Sequence, residues 1–176
     1  MKKKAFPLVK VNTLLQHGPV VMISTAAGGR NNVMTLSWLT MVDFDPPLVG
    51  CVISDENRTF GTLKNTCECV INIPTLAIAR KALACGSTSG ADTDKFAAFG
   101  LTPQKASLVK APLIKECYAS LECRLEDSGM SDKYNFFVLK VVKAWVSGEK
   151  KPKTLHHLGG NSFMLPGRTV KVKKWK

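Results

Sequence analysis

Between Pro19 and Ile53 the chain passes through three apolar, extended stretches whose connections are too short to hold a crossover helix. Strands joined this way are antiparallel neighbours, because a parallel pair needs a connection of about a dozen residues or more. Pro19 to Thr25 is apolar on both faces and reads as a buried strand. Ala26 to Asn31, with Gly28 and Gly29, reads as a hairpin turn. The chain then returns from Asn32 to Met41 as one strand. Val33, Thr35, Ser37, Leu39 and Met41 share one of its faces, and Met34, Leu36 and Trp38 the other. Pro46-Pro47 stops it, and Leu48 to Ile53 forms the third strand.

The remaining segments extend the pattern. The polar loop Ser54 to Asn57 leads into a helix over Arg58 to Lys64, with Asn65 as its stop. Cys67 to Ile73 alternates as a strand ending at Pro74. Thr75 caps a helix over Leu76 to Ala84, which Cys85-Gly86 terminates. Ser87 to Asp92 is a flexible polar loop, after which Asp92 or Thr93 caps a short helix over Asp94 to Phe99. In the clearest strand, Cys117, Ala119, Leu121, Cys123 and Leu125 point inward and Ser120, Glu122, Arg124 and Glu126 outward. Tyr134 to Val146 is apolar on nearly both faces, as a central strand is, and Thr169 to Val172 is a candidate edge strand. Roughly six or seven strands with two or three short helices favour a mainly β fold. The architecture expected is an antiparallel barrel, not a doubly wound α/β sheet.

At 176 residues the chain is expected to form a single domain over 1–176 with basic terminal segments, large enough to bury a core without disulfides. The six cysteines show no CxxC pair, and four lie in apolar runs, so all are read as reduced and structural, with no metal site. No stretch approaches the roughly 20 apolar residues of a membrane span. No apolar signal core follows the basic start Met1 to Lys4, and a cytoplasmic protein without membrane contact is expected. The net charge is +12, but nine of the 25 basic residues lie in terminal segments, from Lys2 to Lys10 and from Arg168 to Lys176. Without interleaved aromatic residues, this distribution argues against a nucleic-acid-binding barrel, the alternative of a different class.

Chemistry concentrates between Asn32 and Thr59. Thr35 and Ser37 place hydroxyls on an apolar strand, while Ser54, Arg58 and Thr59 gather at a helix start. A cation there opposes the helix dipole, so its placement favours a bound anion. Hydroxyls, loop amides and a guanidinium fork together make a phosphate cradle. His156 and His157 lack an identifiable carboxylate partner and are read as surface or interface residues.

In order and spacing, these motifs resemble the flavin reductase-like, FMN-binding split-barrel family, including flavoredoxin-type proteins. The resemblance rests on Asn32-x-x-Thr35-x-Ser37-Trp38, Pro46-Pro47-Leu48-Val49 and Ser54 followed by Arg58-Thr59. It continues through Val70-Ile71-Asn72-Ile73-Pro74, Ser89-Gly90 with Asp94-Lys95-Phe96, Ala111-Pro112-Leu113-Ile114 and Cys117 to Cys123. It implies an antiparallel split β-barrel acting as a homodimer, with FMN near the subunit interface. Thr35, Leu36, Ser37 and Trp38 would contact the ring and its linker. Ser54, Arg58 and Thr59 would hold the phosphate, and Lys95 would belong to a loop closing over the cofactor. The family's Asp-His pair and Gly-Glu-Val ending are missing, and the corresponding residues are Asp132-Lys133-Tyr134 and Leu139 to Val142. This departure favours bound FMN serving as an oxidoreductase cofactor or electron carrier, with an electron-transfer protein as partner. The alternative is an NADH- or NADPH-dependent reductase supplying reduced free flavin to a monooxygenase.

Overall fold

The structure, a computed structural model, describes residues 18–172. Strands β1 (Val21–Ala27) and β2 (Arg30–Leu36) form the first hairpin. Next come β3 (Leu39–Phe44), β4 (Pro47–Val52), helix α1 (Arg58–Thr66) and β5 (Glu68–Ile73). A 3-10 turn at Leu76–Ile78 leads into α2 (Ala79–Gly86), followed by α3 (Lys95–Ala98) and the short pair β6 (Pro103–Gln104) and β7 (Leu113–Ile114). The chain continues through β8 (Ala119–Asp127), α4 (Ser131–Tyr134), β9 (Phe136–Val146) and a second hairpin, β10 (His156–Gly159) and β11 (Ser162–Met164).

Seven strands make one antiparallel sheet in the order β2-β1-β5-β8-β9-β4-β3. Its two ends, β2 and β3, are consecutive in the chain and separated by only Ser37 and Trp38. The sheet must therefore curl until its ends meet, giving a mainly β barrel split between β2 and β3. β2 pairs on one side only, with β1.

Strand alternation explains why β1 is apolar on both faces. Val21 and Ile23 point into the barrel with Met34, Cys51, Ile71 and Phe137, whereas Met22 packs outward with Val33 against Ala82, Cys85 and Phe96 of the helical layer. The outer helices thus bury a second apolar surface on the sheet. All six cysteines are free, five are buried, and burial pushes the Cys51 thiol up to about 12.

Several local expectations are corrected. The stretch from Asn32 to Met41 is two strands, because the chain leaves the sheet at Ser37-Trp38 to reach its opposite end. Cys67 is not in a strand; with φ of 56° it ends α1, its N–H donating to the Leu63 carbonyl. Thr75 makes no side-chain cap, and the turn at Leu76–Ile78 separates it from α2. At α3 the cap is Asp94 itself, whose carboxylate accepts from the Phe96 and Ala97 N–H groups. Tyr134 belongs to α4, not to β9, and residues 169–172 form no strand.

Ser120 and Glu122 were expected to face solvent but are buried. Ser120 donates to Asn72 Oδ1 (2.7 Å), and Asn72 in turn bonds the Met22 carbonyl, Ser24 Oγ and the Ile114 N–H. This polar knot ties β1, β5, β7 and β8 together. Glu122 accepts from Ser107 N (2.9 Å), Leu108 N (2.5 Å) and Trp145 Nε1 (2.7 Å). Burial alone would raise its pKa, but these donors together outweigh that effect and hold it below the ordinary carboxylate value. Its stabilisation is therefore complete above the unfolded-state pKa and is lost as pH falls through the depressed folded value. Glu122→Gln places an amide NH2 among donors and should cost about 1.5–3 kcal/mol at neutral pH. Denaturant unfolding should show the gap from wild type narrowing under acid conditions; an equal gap at every pH would contradict the charge argument.

Candidate functional site

The open edge of β2 borders two adjoining cavities. One, of about 260 Å³, is lined by Asn32 and Met34 of β2, by Glu56 to Thr59 at the start of α1, by Gly86 to Gly90 and by Lys95. The other, of about 200 Å³, is lined by Thr35, Leu36 and Ser37, by Val20, by Ala82, Leu83, Gly86 and Ser87 from α2 and its exit, and by His157 and Phe163. Gly86 and Ser87 line both, so the cavities form one groove along β2. A larger cavity of about 660 Å³ lies between the β1–β2 hairpin and the end of α1, but it contains none of the candidate residues.

The first cavity is built around cations and bare backbone. Arg58 Nη1 donates to the Gly90 carbonyl (3.0 Å) and to the Ala91 carbonyl (3.4 Å), fastening the start of α1 to the facing loop. In the first turn Phe60 N donates to the Asn57 carbonyl (2.9 Å), while the Arg58 and Thr59 amides precede the first intrahelical acceptor. Lys95 is only 4% exposed, and its ammonium donates to the Cys85 carbonyl (2.8 Å) near the end of α2. Desolvation lowers the Lys95 pKa, with the Cys85 thiol opposing it, and burial pushes that thiol up to about 11. Asn32 Nδ2 donates to Thr59 Oγ1 (3.1 Å), while buried Asn32 Oδ1 has no hydrogen-bond partner. The cavity thus presents two cations beside one carboxylate residue, Glu56, with helix-start amides and an unpaired acceptor, and its cations and amides fit a phosphate ester carrying hydroxyls.

Glycine makes room for this arrangement. A Cβ at Gly90 would lie 1.9 Å from Asn32 Oδ1, and one at Gly86 would lie 3.2 Å from Thr35 Cβ. The second cavity is mostly apolar. Thr35 Oγ1 donates to the Ala82 carbonyl (2.6 Å), so this hydroxyl holds α2 against β2. His157 Nε2 lies 3.1 Å from the Gly160 carbonyl, and its ring lies 5.6 Å from that of Phe163.

Six of the eight residues singled out in the sequence line the groove: Thr35, Leu36, Ser37, Arg58, Thr59 and Lys95. Two do not. Trp38 is half exposed, and its carbonyl accepts from Val52 N where β3 begins. Ser54 builds the turn before α1, its Oγ accepting from Glu56 N and its carbonyl from Asn57 N. The sequence reading missed Asn32 as a site residue, although Asn32 opens the quoted motif. Ser87 to Gly90, expected as a flexible polar loop with Ser89-Gly90 in the quoted motif, lines the first cavity. His157, read as a surface or interface residue, lines the groove with Phe163; the signal was the Gly159-Gly160 turn, which permits a tight hairpin. Asp132 lines neither cavity and pairs with Lys64 on α1.

The family model for the flavin reductase like domain matches residues 15–165, and the chain belongs to that family. The protein YddH of Escherichia coli is 33% identical over 172 residues, covering 89% of this chain and 91% of that relative. Among solved structures, an FMN-binding domain of a flavin reductases-like enzyme from Shewanella baltica superposes with a TM-score of 0.83 at 26% identity, over 97% of each chain. The flavoredoxin from Methanosarcina acetivorans gives 0.84 at 24% identity, over 98% of this chain and 95% of that one.

Substituting Gly90 tests the cradle directly. Gly90→Ala must displace Asn32 from Thr59, and overpacking of this kind costs about 1–3 kcal/mol. Thermal unfolding should register the loss, and an unchanged melting temperature would show that Asn32 moves freely.

Proposed function

We propose that the groove binds FMN, with the phosphate in the cationic cavity and the isoalloxazine along β2 toward His157 and Phe163, and that the chain works as an FMN-dependent oxidoreductase or electron carrier. The buried Lys95 carries this reading. A desolvated ammonium supported by a single carbonyl, beside Arg58 and the start of α1, calls for an anion to offset its burial. The FMN-binding domain and the flavoredoxin named above support FMN as that anion.

Within this reading, Arg58, Lys95 and the α1 amides hold the phosphate, and Asn32 Oδ1 accepts from a hydroxyl of the linker. The open edge of β2 offers backbone donors and acceptors to the ring. Flavin, when bound, supplies the redox chemistry; the chain orients it and controls solvent access and local charge. NADH or NADPH would serve as electron donor. The second reading, supply of reduced free flavin to a monooxygenase, draws support from similarity to nitrilotriacetate monooxygenase component B of Bacillus cereus. The missing Asp-His and Gly-Glu features favour bound FMN over it.

We also read the chain as a homodimer formed through β3. This edge exposes Met41, Val42 and Phe44, the last at 86%, and Trp38 lies beside it. Gel filtration giving a monomer would remove this part of the reading. An electron-transfer protein is the further partner proposed, in a cytoplasmic setting; no described helix is long and apolar enough to cross a membrane.

Flavin fluorescence titration tests the site. Arg58→Ala should lose about 1.5–3 kcal/mol of FMN affinity, roughly 10- to 150-fold. Lys95→Met should weaken FMN similarly without lowering the stability of the unliganded chain, since it removes a desolvated charge. Wild-type protein that neither purifies yellow nor takes up added FMN would refute the assignment.

A further inference from the structure

The ring end of the groove contains one titratable side chain, His157. Its position is fixed by two contacts. The Gly160 carbonyl can only accept a hydrogen bond, so Nε2 carries the proton in the neutral ring and donates it there. Phe163 packs against the imidazole at a tilt of 46°. Nδ1 is left as the second nitrogen, the one that gains a proton when the ring becomes an imidazolium.

The other charged groups on surrounding elements lie elsewhere. Arg80 and Lys81 are on α2, and Glu56, Arg58 and Lys95 belong to the phosphate end. His156 precedes His157 on β10. None of these five charged side chains, nor His156, is in the ring-end lining.

On the reading that this groove holds FMN, we infer that His157 sets the reduction potential of the bound flavin. A bound flavin would gain negative charge on taking up two electrons and one proton. An imidazolium at His157, protonated on Nδ1 from solvent while Nε2 keeps its bond to Gly160, would stand beside that negative charge. The side chain therefore stabilises reduced flavin more than oxidised flavin, and this difference in affinity is what raises a midpoint potential.

The test is a dithionite titration of the FMN-loaded chain at neutral pH, comparing wild type with His157→Gln and His157→Lys. The Gln variant should have a more negative midpoint, and the Lys variant, with its fixed charge, should match or exceed wild type. A tenfold loss of preference for reduced over oxidised flavin reads as about 30 mV. Melting temperature, measured alongside, reports any loss of hairpin packing, and oxidised-FMN affinity is measured in each variant so that the midpoint shift is read as a ratio of reduced to oxidised binding. Equal midpoints in all three proteins would overturn the inference. So would shifts of the same sign in both variants, which would assign His157 to hairpin packing. Wild-type protein that binds no FMN would instead sink the flavin assignment, and this inference with it.

Discussion

The groove exists because β2 and β3 sit at opposite ends of the sheet order while being joined by only two residues. That connection makes the sheet curl, and the curl leaves β2 with one unpaired edge. An unpaired edge is ordinarily a liability, since it offers a row of free N–H and C=O groups to any passing strand. Here it is enclosed by the start of α1, the exit of α2 and the β10–β11 hairpin. The same closure that builds the core therefore creates a polar, backbone-lined slot. The apolar residues of β2 anchor this slot from both sides, with Met34 and Leu36 in the barrel and Val33 under the helices.

Alternation along short strands and the lack of crossover connections were enough to derive the antiparallel barrel. Alternation failed at β8 because burial is decided by what lies outside the sheet as well as by which face a residue occupies. Glu122 is on the outer face, yet the 107–109 segment and Trp145 cover it and supply its hydrogen bonds. Such cover comes from residues distant in sequence, and no local pattern encodes it. The break at Ser37-Trp38 was hidden for the opposite reason. Both halves of Asn32 to Met41 have strand-forming residues, and only the global order of the sheet requires them to part.

The candidate site was derived unevenly, along similar lines. Arg58, Thr59 and Lys95 carry chemistry that stands out in a sequence, as cations and hydroxyls next to helix starts. Gly90 and Asn32 depend on each other through a contact between the polar loop and β2, and a glycine selected for close approach resembles any loop glycine. His157 needed the C-terminal hairpin to be folded back along β1, where Val20 N bonds the Leu155 carbonyl and Pro19 bridges His156. Ring-end residues therefore come from opposite ends of the chain. A window-by-window reading does not join them.

The distribution of charge gives the groove a direction. Lys95 is buried at a cost that the Cys85 carbonyl only partly offsets, and Arg58 spends two hydrogen bonds on holding a loop. Among the described residues neither cation has a carboxylate within salt-bridge distance, whereas Lys64 on the same helix as Arg58 has Asp132. A surface pair such as Lys64–Asp132 contributes little to stability and marks no site. On the proposed FMN reading, Arg58 and Lys95 are where the phosphate would sit, and its charge would offset the burial of the Lys95 ammonium. The opposite end, with hydroxyls, apolar side chains and a single imidazole, suits a flat ring whose charge changes. The proposed ligand, FMN, is anionic at one end and redox-active at the other, and would match both halves at once.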